Sequence, residues 1–143
     1  MTSQIIYKGN LRTEAKHVQS GTVIETDAPT DNQGKGERFS PTDLLATSLG
    51  ACMMTVMGIK ARDMNIDLTG TVIDIQKIMA SDPRRVAGIK AVIHFPSELL
   101  LDEKSRAILE RTALTCPVQY SLNADLKTDI QFTWAGSAAA AMS

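Results

Sequence analysis

The segment SPTDLLATSLGACMMTVMGIKA, residues 40–61, constrains the fold more than any other part of the chain. Leu45, Leu49, Cys52, Val56 and Ile59 recur at steps of four, three, four and three, the helical period, and Leu44, Met53 and Met57 widen the stripe. Ser40 suits an N-cap and Pro41 the first helical position, and Asp43 brings a carboxylate to the positive helix end. The pattern predicts one helix running to about Asp63. Ala46, Ser48, Gly50 and Ala51 fill its other sides, so a second backbone can approach closely and burial on several sides is expected. In a chain of 143 residues such a helix must be the centre of one domain, taken as 1–143.

The rest of the chain supplies strands to surround it. Residues 4–9, 13–18 and 22–26 are short β-favouring runs, with Gln19-Ser20-Gly21 as a hairpin turn between the last two. Residues 27–41 form a polar loop punctuated by Pro29, Gly34, Gly36 and Pro41, long enough to suggest a function. A second hairpin is expected from 66–80 and 86–95, a helix over 97–115, a short helix over 116–123 beginning at Pro117, and a final strand over 126–134. The small, uncharged tail 136–143 is expected to be frayed. In the helix over 97–115, Ile108, Leu109 and Ala113 face inward, and Asp102, Glu103, Lys104, Arg106 and Glu110 face solvent. The order of three strands, helix, two strands, helix, strand is that of an α+β protein.

Fifteen lysines and arginines against sixteen acids leave a net charge of −1, so no field favours a phosphate backbone or an anionic membrane surface. Apolar runs too short to span a bilayer and an N-terminus unlike a signal peptide point to a soluble, cytoplasmic protein that engages neither nucleic acid nor membrane.

Two cysteines, Cys52 and Cys116, lie 64 positions apart. Without a secretion signal they read as reduced or redox-active thiols and not as a structural disulfide framework. No C-x-x-C is present, and His17 and His94 are isolated strand histidines, so neither a metal site nor a cofactor is expected. Cys52, in an apolar stripe, reads as a packed core residue unless a cation or donors activate it. Cys116, before Pro117, sits where a helix start stabilises a thiolate, although a capping or buried thiol fits there equally. Two such thiols are able to act as an attacking and a resolving pair if folding brings them together.

Taken together, SPTDLLATSLGACMMTV and Cys116-Pro117-Val118 resemble the OsmC/Ohr superfamily, the osmotically inducible and organic hydroperoxide resistance proteins, and the order of elements is similar from about Ile5 to Trp134. The resemblance implies an OsmC-like fold with two antiparallel β blocks around long central helices, in an intertwined homodimer. It implies cysteine-based reduction of organic hydroperoxides, with Cys52 as peroxidatic and Cys116 as resolving residue, and a lipoyl or thioredoxin-like dithiol as reductant. It also implies an activating arginine, for which Arg12 and Arg38 are the candidates, and a glutamate directly after the helix proline. Thr42 stands at that place. Asp43 is one position late, and one step turns a helical side chain by about 100 degrees; Glu37 is the other acid within reach in sequence. The departure at Thr42 favours an alternative, a binding protein of the same fold for a small apolar or thiol-reactive ligand, with little turnover.

Overall fold

The computed structural model describes residues 1–135, so the expected frayed tail lies outside the described residues. Six strands and three α-helices run β1 (Ser3–Gly9), β2 (Arg12–His17), β3 (Val23–Asp27), α1 (Pro41–Asp63), β4 (Val72–Ala80), β5 (Arg85–His94), α2 (Glu103–Ala113), α3 (Pro117–Ser121) and β6 (Lys127–Thr133). This is the α+β order that the sequence implies. The chain divides into two compact units, residues 1–45 and the residues from Ala46 onward.

The first unit is the antiparallel sheet β1-β2-β3 with its following loop. Gly21, at a φ of 77°, closes the β2–β3 turn, where His17 N donates to Thr22 O. The histidine of that turn is engaged locally, its Nδ1 lying 2.6 Å from Ser20 Oγ. The turn sets a register in which Thr13 faces Thr26 and Arg12 faces Asp27. Beyond β3 the loop folds back on the sheet: Asp27 N donates to Phe39 O and Ala28 N to Leu11 O. Gly34 is packed so closely that a Cβ there would lie 1.7 Å from the Ala28 carbonyl oxygen.

The second unit packs α1 and α2 with the sheet β4-β5-β6. Ala46, Leu49, Met53, Met57 and Ala61 of α1 share the core with Ile89, Ala91 and Ile93 of β5 and with Leu109 and Ala113 of α2. Gly50 lets β4 approach, since a Cβ there would meet Ile75 Cδ1 at 3.0 Å. The buried line along α1 is therefore not the one its period suggests: Leu45 and Ile59 are exposed and Cys52 and Val56 half-buried. The helix is apolar or small on nearly every side, so sequence gives it no preferred face. An 18-residue window of this 23-residue helix has a mean hydropathy of 1.5, so by length and composition alone α1 also meets the measure of a membrane span.

Other expectations are corrected in detail. β4 pairs antiparallel with β5, whereas β6 runs parallel to β5, because α2 and α3 form the long crossover that parallel strands require. Residues 66–71 are not strand; Asp67 Oδ1 accepts from Thr69 N at 2.9 Å and closes a turn instead. α2 starts at Glu103, not near Ser97, because Asp102 supplies the cap, its Oδ1 accepting from Ser105 N at 2.9 Å. Arg106 and Glu110 are not simply solvated: the Trp134 indole donates to Glu110 Oε1 at 2.9 Å, and the Arg106 guanidinium lies 5.6 Å from the Trp134 ring. His94 is not isolated either, since its Nε2 lies 3.0 Å from Asp74 Oδ2 on the neighbouring strand.

Candidate functional site

The thiol pair belongs to the second unit. α1 carries Cys52 half-buried at mid-helix, where its backbone is fixed by hydrogen bonds on both sides. Pro117, with its φ preset and no amide to satisfy, starts α3 and makes Cys116 the N-cap; the Gln119 amide donates to Cys116 Sγ at 3.4 Å. Cys116 is fully buried. Cys52 is close enough to influence its titration, so folding brings together two thiols that are distant in sequence, both in the free form.

The N-cap position does not make Cys116 a thiolate. Burial pushes its thiol above the ordinary value, the Gln119 amide pulls the other way, and the neighbouring Cys52 adds to the upward shift. Desolvation outweighs a capping amide on a helix of only five residues. Cys116 thus holds its proton at neutral pH. The pair combines a buried, protonated thiol with a more accessible neighbour, two thiols able to exchange with a disulfide.

The arginines belong to the first unit. Arg12 and Asp27 face each other across β2 and β3 and meet through two parallel hydrogen bonds, Nε to Oδ1 at 2.7 Å and Nη2 to Oδ2 at 2.8 Å. Asp27 is 2% exposed and takes a third hydrogen bond from Glu37 N at 3.2 Å. The Glu37 carboxylate stands 3.9 Å from Arg12 Nη2. The Arg12 hydrogen bonds hold the Asp27 carboxyl below the usual range, and Asp27 in turn raises the already high guanidinium value. Arg38 is held more loosely, with Nε 3.3 Å from Glu25 Oε1 and Nη1 donating to Glu37 O.

At the start of α1, Ser40 Oγ accepts from Asp43 N while Asp43 Oδ2 accepts from Ser40 N, both at 3.0 Å. This reciprocal cap gives Asp43 a structural task, and Thr42 Oγ1 joins it at 3.2 Å from Ser40 Oγ. Sequence reasoning overlooked Asp27. The hairpin turn at 19–21 held the signal, because counting outward from it pairs residue 12 with residue 27.

A sequence profile described as OsmC-like protein matches residues 34–131, well over half of the chain. The chain belongs to the OsmC-like family. No curated protein matches it. A crystal structure of a Psychrobacter arcticus 273-4 protein, provisionally described as an osmotic stress induced and detoxification response protein, is 53% identical; the match covers 93% of this chain and 96% of that one, with a TM-score of 0.89. Two more distant OsmC-like folds are both 16% identical: an organic hydroperoxide resistance protein OsmC of Legionella pneumophila, with 94% and 97% covered and a TM-score of 0.67, and the organic hydroperoxide resistance protein OhrB of Bacillus subtilis, with 93% and 98% covered and a TM-score of 0.64.

Proposed function

We propose that this OsmC-like protein is a two-cysteine thiol peroxidase that reduces organic hydroperoxides. The observation that carries the reading is the closeness of the two thiols, Cys52 being near enough to raise the titration of the buried Cys116. The Cys52 thiolate attacks the terminal peroxide oxygen, the O–O bond breaks, and Cys52 becomes a sulfenic acid while the alkoxide takes a proton and leaves as the alcohol. Cys116 then attacks the sulfenic sulfur, water leaves, and a Cys52–Cys116 disulfide forms. A lipoyl or thioredoxin-like dithiol reduces that disulfide and is itself oxidised to a disulfide. The half-exposed Cys52 suits the attacking role, and the fully buried, protonated Cys116 the resolving one.

A cation is required to steady the thiolate and polarise the peroxide oxygens. Arg12 fits better than Arg38, because two short hydrogen bonds to a buried carboxylate fix its orientation. The names of the Legionella and Bacillus proteins support the substrate class, and detoxification in that of the Psychrobacter protein agrees with it.

The working form is a homodimer. In β1 every residue from Ser3 to Lys8 is exposed, including Ile5, Ile6 and Tyr7, and a three-stranded sheet needs one covered face to be stable. Leu45 and Ile59 on the outer side of α1 are exposed as well, and a second copy burying both surfaces accounts for them.

Thr42, in place of an acid, favours the second reading, a binding protein for a small apolar or thiol-reactive ligand. Turnover separates the two. With tert-butyl hydroperoxide and a lipoyl or thioredoxin dithiol, the wild-type protein is expected to turn over and Cys52→Ser to be inactive. A wild-type protein inert to several hydroperoxides with both reductants sinks the peroxidase reading.

A further inference from the structure

We infer that Gln119 serves the resolving step, its carboxamide oxygen accepting the hydroxyl hydrogen of the sulfenic acid formed on Cys52; the inference rests on the peroxidase reading above. Gln119 is the third residue of α3, and its backbone amide donates to Cys116 Sγ at 3.4 Å, so it adjoins the thiol pair. A helical side chain leans toward the start of its helix, which carries this carboxamide back toward Cys116. At a helix start of this kind, a glutamine in the third position ordinarily accepts from the backbone amide of the N-cap residue. Here that bond is not made: Gln119 Oε1 is buried and has no hydrogen-bond partner. A buried amide oxygen without a donor costs stability, so its retention calls for a donor in another state of the protein.

The proposed cycle supplies that donor. Peroxide turns the Cys52 thiolate, which can only accept, into S–O–H, whose hydroxyl donates. Cys52 of α1 and Val118 of α3 pack on the core that contains Cys116, so the new hydroxyl forms close to the start of α3. Cys116 is protonated before it attacks, and its proton goes to the oxygen that leaves Cys52 as water. An acceptor on the hydroxyl hydrogen makes that oxygen more basic toward the incoming proton and holds the departing water. One S–S bond forms, one S–O bond breaks, and Gln119 itself is unchanged.

A carboxamide that only fills space predicts no kinetic effect when an apolar side chain of similar size replaces it. The experiment mixes fully reduced wild type, Gln119→Leu and Gln119→Met with one equivalent of tert-butyl hydroperoxide and quenches samples at intervals with dimedone. Released tert-butanol reports the first step, and mass spectrometry counts the dimedone adduct and the Cys52–Cys116 disulfide, with folding checked by circular dichroism. Gln119→Leu is expected to release the alcohol at the wild-type rate. Its disulfide is expected to close about tenfold more slowly, the scale of one lost hydrogen bond, while the dimedone adduct accumulates. A folded variant that closes the disulfide at the wild-type rate overturns the inference, and so does one that slows both steps equally, because that reports disturbed packing around the pair. If Gln119→Leu does not fold, Gln119→Met decides by the same two rates. Wild type that releases no alcohol overturns the peroxidase reading and the inference with it, whereas the other failures leave that reading standing.

Discussion

The two cysteines differ in what surrounds them, and the proposed roles rest on that difference. In the reduced Cys52→Ser variant, Cys116 is expected to react with iodoacetamide several-fold more slowly than a free cysteine at pH 8, because burial holds it protonated and sheltered. Its raised folded value has a defined consequence for stability. The stabilising contribution is complete below the ordinary thiol value of 9.0 and is lost as pH rises through the folded value, so alkaline unfolding is expected to begin earlier in wild type than in Cys116→Ala when each is normalised to pH 7. Asp27 has the opposite sign. Its folded value lies below the ordinary 3.8, so its contribution is present above that pH and is lost as pH falls through the folded value; Asp27→Asn is expected to flatten the acid limb of a urea-midpoint titration. The cysteines and Arg12 were legible as candidates because they are rare or sit in recognisable motifs. Asp27 was not recognised, because its pairing with Arg12 spans 15 positions and shows only when the register is counted outward from the turn at 19–21.

At the scale of elements, α1 combines an accurately readable start and end with an unreadable face. Ser40, Pro41 and Asp43 carry the chemistry of a helix start, so the boundary followed from local rules, and Ser40→Ala is expected to cost about 1 kcal/mol in urea denaturation. The buried face is decided by what packs on it. Leu49→Ala should therefore cost about 2–5 kcal/mol, whereas alanine at exposed Ile59 should cost much less in the isolated protomer. The misread start of α2 has a related cause: Ser97 and Asp102 both resemble caps, and only Asp102 bonds the backbone three residues on, while Ser97 Oγ turns to Glu98 Oε2. The loop before α1 is held as tightly as a regular element. Gly34→Ala forces a methyl group against the Ala28 carbonyl, a backbone atom that cannot step aside, and is expected to lower the melting temperature and hydroperoxide turnover together.

For the whole molecule, the order of elements was legible because the hydrophobic period changes at each boundary, while the parallel direction of β6 depends on a crossover that no local pattern encodes. The exposed apolar residues of β1 and of the outer side of α1 lead to a prediction at this scale: at micromolar concentration the protein should elute at twice its 15.5 kDa, and a clean monomer would contradict the homodimer. The central claim is that Cys52 and Cys116 form one redox unit. Its most direct test is to add one equivalent of tert-butyl hydroperoxide to fully reduced protein, count the remaining thiols and map any crosslink by mass spectrometry. The account predicts that both thiols disappear with formation of one equivalent of alcohol, that the product is an intramolecular Cys52–Cys116 disulfide, and that Cys116→Ser instead stops at an oxidised Cys52. Both thiols surviving intact, or a peroxide consumed without that disulfide, would contradict it.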